Sequence, residues 1–448
     1  MGADGGGSRP TPPAVALEPG GGTTPRPAPM SVEEHSMTSR ERVLCALQHE
    51  EPDKIPLDLG AMRSTGIMAI AYHRVKQYLG MSGGETLVYD VVQQLAQPEG
   101  EILDYVQADV VDLGRAFLTA PEDWKDFTLP DGSPAKIPAW IDLRERDGGW
   151  AFVAEDGTLL GQMPPGVTYL SQCYWPLADL PANLTRAQLE EAMQKVIWAA
   201  LPTPPWHQPL TAEHLADIRA RAKHLYETTD YAIMVAFGGN LLEWGQFLCG
   251  IENFLCALVA SPQRVERLLD LLVELHLENL EKFLPAVDGY VQIIQMGDDL
   301  GTQTGAQISP PTYRRFFKPR HREIYQYVKE HSRLHLFLHS CGSIEELLPD
   351  LIDIGVEIIN PVQTSAARMS PEHLKREYGR DIVFWGGGCD TQRVLPRGTP
   401  EEIEAQVRER MQIFGPRGGF VFTQVHNILA NVPPENIVAL WEAAKKYR

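Results

Sequence analysis

Short apolar runs recur along the chain, each closing on a polar residue or a glycine: 55–60, 108–114, 232–239, 290–299, 334–341, 356–363, 382–390 and 419–426. Runs of that length with such boundaries predict buried strands. Between the later runs the apolar residues fall at helical spacing, over 262–284, 311–331, 344–354, 371–378, 400–414 and 434–447. Strands alternating with helices predict an α/β fold with a parallel sheet. Eight such units predict a closed (β/α)8 TIM barrel rather than an open doubly wound sheet. Polar residues at the strand ends then share the carboxyl-end rim, where such barrels do their chemistry.

The spacing is uneven, because residues 115–231 are more than one helix requires. Within them Trp150-Ala151-Phe152-Val153 and Gly157-Thr158-Leu159-Leu160-Gly161 flank Glu155-Asp156-Gly157, the signature of a hairpin turn. This stretch is expected to be an insertion over the barrel mouth. The first 36 residues are rich in Gly, Pro, Ser and Thr, without apolar periodicity or a signal-peptide core, and are expected to be a disordered tail. The barrel domain is expected over 37–448. Thr38 and Glu41 form a capping-box pattern for its first helix.

Composition narrows the function. A formal charge of −19 over 448 residues disfavours nucleic acid as a partner, and no apolar run is long enough to cross a bilayer. Six cysteines without a short CxxC pair make no disulfide framework, so a reducing cytoplasm is the expected location.

The sharpest chemical signal is Leu334-His335-Leu336-Phe337-Leu338-His339-Ser340-Cys341. His339 and Cys341, two apart on an extended chain, point the same way at the strand end. Cys389 ends another apolar run and is the expected third donor. Imidazole and two thiolates with one open position suit catalytic zinc, which would make a bound thiol a strong nucleophile. His426, at the end of the last run, can be a further ligand, a proton donor or a substrate clamp. Asp298 and Asp299 end the fourth run as candidate catalytic carboxylates, although only one of two successive residues can face the mouth. Arg63, just past the first run, can pair with a substrate carboxylate. Asp112, Asn240 and Gln363 stand at other strand ends as candidate substrate contacts. No GxGxxG, P-loop or GxSxG pattern follows a strand.

Several segments resemble the uroporphyrinogen decarboxylase superfamily, which holds tetrapyrrole decarboxylases and zinc methyltransferases that work with corrinoid proteins. They are Met62-Arg63-Ser64-Thr65-Gly66, Phe237-Gly238-Gly239-Asn240 and Ser309-Pro310-Pro311-Thr312-Tyr313-Arg314-Arg315-Phe316. The last part of the chain adds His339-Ser340-Cys341-Gly342, Gly387-Gly388-Cys389-Asp390 and Val425-His426-Asn427-Ile428. Ile67 stands where the decarboxylases have a second arginine, and the resemblance would allow Asp109 or Asp112 as their catalytic aspartate. The His339/Cys341 pair resembles the zinc pair of the methyltransferases, which take a third ligand after the last strand; here that loop has Gln424 and His426 and no cysteine. The resemblance implies zinc, a corrinoid cofactor or substrate, and a small-molecule substrate. A corrinoid protein is the implied partner, and a homodimer is left open. Decarboxylation of a carboxylated tetrapyrrole, with Arg63 and His426 gripping carboxylates, and a non-catalytic tetrapyrrole- or corrinoid-binding barrel are the alternatives.

Overall fold

The computed structural model describes Pro10, Thr11, Pro13 and residues 36–448; the tail expected over 1–36 lies almost wholly outside those described residues. The first helix, Ser39–Leu47, opens on the expected capping box: Glu41 N donates to Thr38 Oγ1 at 3.2 Å and Thr38 N to Glu41 Oε2 at 2.9 Å.

Seven parallel strands form one sheet whose spatial order is the chain order: Val110–Asp112, Ala232–Gly238, Ile293–Gly297, His335–His339, Ile358–Asn360, Val383–Trp385 and Phe420–Val421. The segment around Leu57 joins the two edges. Asp58 N donates to Phe422 O at 2.9 Å, Phe422 N to Pro56 O at 2.8 Å, and Asp109 N to Leu57 O at 2.8 Å. These bonds complete a ring of eight segments, as the alternation predicted. The first segment makes only an isolated bridge, Leu57 to Phe422, because Pro56 has no N–H to give to a ladder.

Period-two alternation separates two cores. Val110, Met234, Ile293, Phe337, Ile358, Val383, Trp385 and Val421 belong to one buried apolar cluster that fills the barrel. A larger cluster lies between the strands and the outer helices, among them Pro262–Val287, Pro400–Phe414 and Pro434–Tyr447. Because Phe337 faces inward, so does His339 two residues on, at the rim.

The expected insertion is real but shorter than 115–231. Helix Ala212–Thr228 packs beside Pro262–Val287 and leads straight into strand Ala232–Gly238, so it belongs to the barrel's outer layer. Before it lie an antiparallel hairpin, Trp124–Thr128 with Pro134–Pro138, and a four-stranded antiparallel sheet. The predicted hairpin is there, Gly149–Val153 against Leu159–Met163, with Gly157 at φ +86° in its turn. A small sheet of Ile67–Met68, Leu95–Ala96 and Val88–Asp90 had no signature in the sequence beyond its few apolar residues. Among the described residues no helix is long and apolar enough to cross a membrane.

Candidate metal centre

The strand His335–His339 delivers two donors to the rim. His339 is in register with Gly297 on one side and Asn360 on the other. The chain then turns at Gly342, φ +86°, where a Cβ would come within 2.5 Å of the Gly301 backbone, so only glycine lets Cys341 fold back over the strand end. Cys341 Sγ lies 3.5 Å from His339 Nε2. His426, beyond the last strand, joins them: the donor atoms of His339, Cys341 and His426 all lie within 4.8 Å of one another. With Zn–N and Zn–S bonds of about 2.0 and 2.3 Å, tetrahedral geometry puts nitrogen and sulfur about 3.5 Å apart. The separation of the first pair and the chemistry of the set therefore fit zinc.

Both imidazoles are held from behind. Asn360 Nδ2 donates to Trp385 O at 2.9 Å, which fixes its Oδ1 as the acceptor 2.9 Å from His339 Nδ1. His426 Nδ1 lies 2.8 Å from Asn427 Oδ1, and Asn427 Nδ2 donates to Gln93 Oε1 at 2.9 Å. Burial first, then the neighbouring His339, pushes the His426 imidazole down to about 4, so it is neutral and able to ligate. Burial and then the charges of Asp299 and Glu243 push the Cys341 thiol well up; it needs a cation to ionise.

Alternation sorts the two adjacent carboxylates. Asp299 lines the cavity, accepts from Cys341 N at 2.7 Å and lies 3.7 Å from His339 Nε2. Asp298, expected beside it as a catalytic group, points the other way. It is fully buried, accepts from the N–H groups of Leu241, Leu242 and Glu243 at 2.9–3.2 Å, and meets His321 Nε2 at 3.0 Å. Three amides at a helix start and an imidazole occupy its oxygens, so Asp298 holds the fold and does not reach the site.

Cys389 is corrected as well. Gly386 and Gly387, at φ +103° and +78°, swing the chain so that Cys389 is fully buried in the layer between the strands and the outer helices, near Arg410. His426 takes the third-donor place. Gln363 does not line the cavity; its Oε1 accepts from Gly342 N at 2.8 Å and steadies the turn behind Cys341. Asp112 does not line it either, and burial raises its carboxyl to about 7 against the pull of Arg63 and Arg115. Asp109 lies at the barrel's other end, in ion pairs with Arg42 at 2.6 Å and Arg448 at 2.7 Å. Arg63 lines the cavity, but its guanidinium already pairs with Asp90, donates to Thr203 Oγ1 at 3.0 Å and lies over the Trp198 ring. Asn240 lines it too and donates to Glu243 Oε2 at 2.6 Å.

Glu243 escaped the sequence reading, since nothing local distinguishes it. Its Oε2 also accepts from Asp299 N at 3.1 Å, and burial together with the Asp299 and Asp298 charges drives its carboxyl well above the usual range. The cavity above the trio holds about 1220 Å³. Tyr169, Trp198 and Trp206 of the insertion and Phe237, Trp244 and Phe247 of the barrel give it an aromatic wall. A barrel whose His/Cys/His donor set opens into such a cavity has the residue types that can hold a metal ion with one position free.

Residues 235–447 match the model of the uroporphyrinogen decarboxylase (URO-D) family. That segment, a little under half of the chain, is similar to the uroporphyrinogen decarboxylase family. A uroporphyrinogen decarboxylase of Magnetococcus marinus is 24% identical over 193 residues, 42% of this chain and 49% of the relative. A methylated-thiol–coenzyme M methyltransferase of Methanosarcina mazei is 25% identical over 199 residues, 44% of this chain and 49% of the relative. The chain thus spans about half the length of the curated relatives it matches. Among solved structures, a methyltransferase from Methanosarcina mazei superposes with a TM-score of 0.54 at 17% identity, covering 92% of this chain and 99% of that one. That likeness is one of fold.

Proposed function

We propose that the protein is a zinc-dependent methyltransferase that moves a methyl group between a corrinoid, free or carried by a partner protein, and a second small molecule such as a thiol. The observation that carries this reading is the trio of His339, Cys341 and His426, whose donor atoms lie within 4.8 Å of one another beside the cavity. When bound, zinc supplies Lewis acidity that lowers the pKa of a thiol entering the open position. Cys341 gives up its own proton as the site is filled. His339, Cys341 and His426 would hold the zinc, and a substrate thiol beside them would take the methyl group from a methylcorrinoid substrate, the S–C bond forming as the Co–C bond breaks with its electron pair left on cobalt. The released proton can pass to the Asp299 carboxylate, which lines the cavity beside the donors. The aromatic wall excludes water from the reacting atoms.

The decarboxylase alternative calls for free cations to grip a polycarboxylate. Arg63 is already neutralised by Asp90, which weighs against it. The test is metal analysis of the purified protein, followed by methylcobalamin with a simple thiol as methyl donor and acceptor. Stoichiometric zinc and zinc-dependent loss of the methylcobalamin absorbance are expected. Decarboxylation of uroporphyrinogen by the metal-free protein would refute the proposal.

A further inference from the structure

We infer that Asn360 is the positioning residue of the metal centre: its amide oxygen holds His339 as the Nδ1–H tautomer and thereby turns the Nε2 lone pair towards Cys341 and His426. The inference rests on the zinc reading above and concerns a residue that touches neither the cavity nor the donors' open side.

Three features make the orientation compulsory. His339 and Asn360 are register partners on adjacent parallel strands, so both side chains rise from one level of the barrel. The amide cannot rotate without loss, because its Nδ2 donates to Trp385 O at 2.9 Å, and Trp385 is itself pinned by its indole N–H on Asp58 Oδ2 at 2.8 Å. Ser64 Oγ donates to the same Asn360 Oδ1 at 2.5 Å, so together with His339 Nδ1 it fills both lone pairs of that oxygen. His339 then has one nitrogen left, and it faces the thiol at 3.5 Å.

His426 repeats the device through Asn427, with Gln93 as the outer anchor. Metal-bound histidines commonly lean on carboxylates or backbone carbonyls. Here both lean on neutral amides. The three donors therefore bring a single negative charge of their own, the Cys341 thiolate, and the nearby Asp299 carboxylate supplies the other charge that faces the site. A carboxylate at 360 would add a further charge and lose the bond to Trp385 O.

The experiment uses Asn360→Leu, of similar shape without the acceptor, and Asn360→Asp, which keeps it. Zinc affinity of the full chain is read by competition with a chromophoric chelator, and the thiolate–cobalt absorption band is read after loading with cobalt(II). The leucine variant should bind zinc about 10–100-fold more weakly with a shifted or weakened band. The aspartate variant should recover affinity to within several-fold. If Asn360 were merely structural, both variants would melt at lower temperature yet bind the metal as the unaltered protein does, and that result overturns the inference. Should Asn360→Leu fail to fold, Asn427→Leu must show the same loss on the same readouts; unchanged binding there overturns the shared device. Absence of zinc and cobalt uptake by the unaltered protein would instead sink the zinc reading itself.

Discussion

Replacing His426 and Cys389 separately tests the site most directly, because the two residues compete for the same role. Structural zinc sites with four ligands bind with roughly 10–16 kcal/mol of apparent free energy, or about 3 kcal/mol for each ligand. Removing one of the three donors placed within 4.8 Å of one another should therefore weaken binding by about a hundredfold or more. His426→Ala is expected to lose its zinc during dialysis against a mild chelator. Cys389→Ser touches no donor. That thiol is fully buried against apolar neighbours, so the cost falls on stability, about 1–3 kcal/mol for a hydroxyl without a partner. Metal content by atomic emission, alongside denaturant unfolding, separates the outcomes: metal lost and fold retained for His426→Ala, metal retained and midpoint lowered for Cys389→Ser. The reverse pattern would refute the derivation of the trio from the fold.

Three further outcomes follow from the same structure. Asp298→Ala strips an acceptor from three helix-start amides and from His321, and should cost about 3–5 kcal/mol in urea unfolding. Phe337→Ala opens the barrel interior and should lose about 3–5 kcal/mol, with zinc content unchanged at temperatures where the protein stays folded. Burial pushes the His276 imidazole down to about 4 from its ordinary 6.5, while its Nε2 lies 3.1 Å from Asn240 O. The unfolded chain binds that proton first, so stability should fall as pH drops from 6.5 towards 4, by up to about 3 kcal/mol. His276→Gln should flatten that part of the pH–stability curve, and an unchanged slope would count against a neutral buried histidine.

Much of the fold was legible because its signals are local. All eight apolar segments occupy the positions expected of them, and the Thr38/Glu41 cap and the turn at Gly157 formed as their side-chain chemistry required. The insertion's end was misjudged because helix Ala212–Thr228 carries no mark that says which layer it joins. Within the site, the pair His339 and Cys341 was visible from strand alternation alone, and so was the rule that Asp298 and Asp299 must part company. Asn360 closes the observed strand Ile358–Asn360, but the apolar run was expected to extend to Gln363, so nothing local marked Asn360 as the strand end. Glu243 carried no local mark either, since its place beside Asp299 is made by helix packing.

The sequence by itself determined a ring of parallel strands with polar ends, and two soft donors side by side at one of them. It did so because side-chain direction along a strand repeats every two residues, whatever the rest of the chain does. Only the tertiary structure decided which third donor meets that pair. Two glycines at positive φ turn Cys389 into the outer layer, while closure of the ring through Leu57 and Phe422 carries His426 to the rim. Convergence of that kind depends on the register of distant strands and on turns that leave no local periodicity, and so it exists only once the ring has closed.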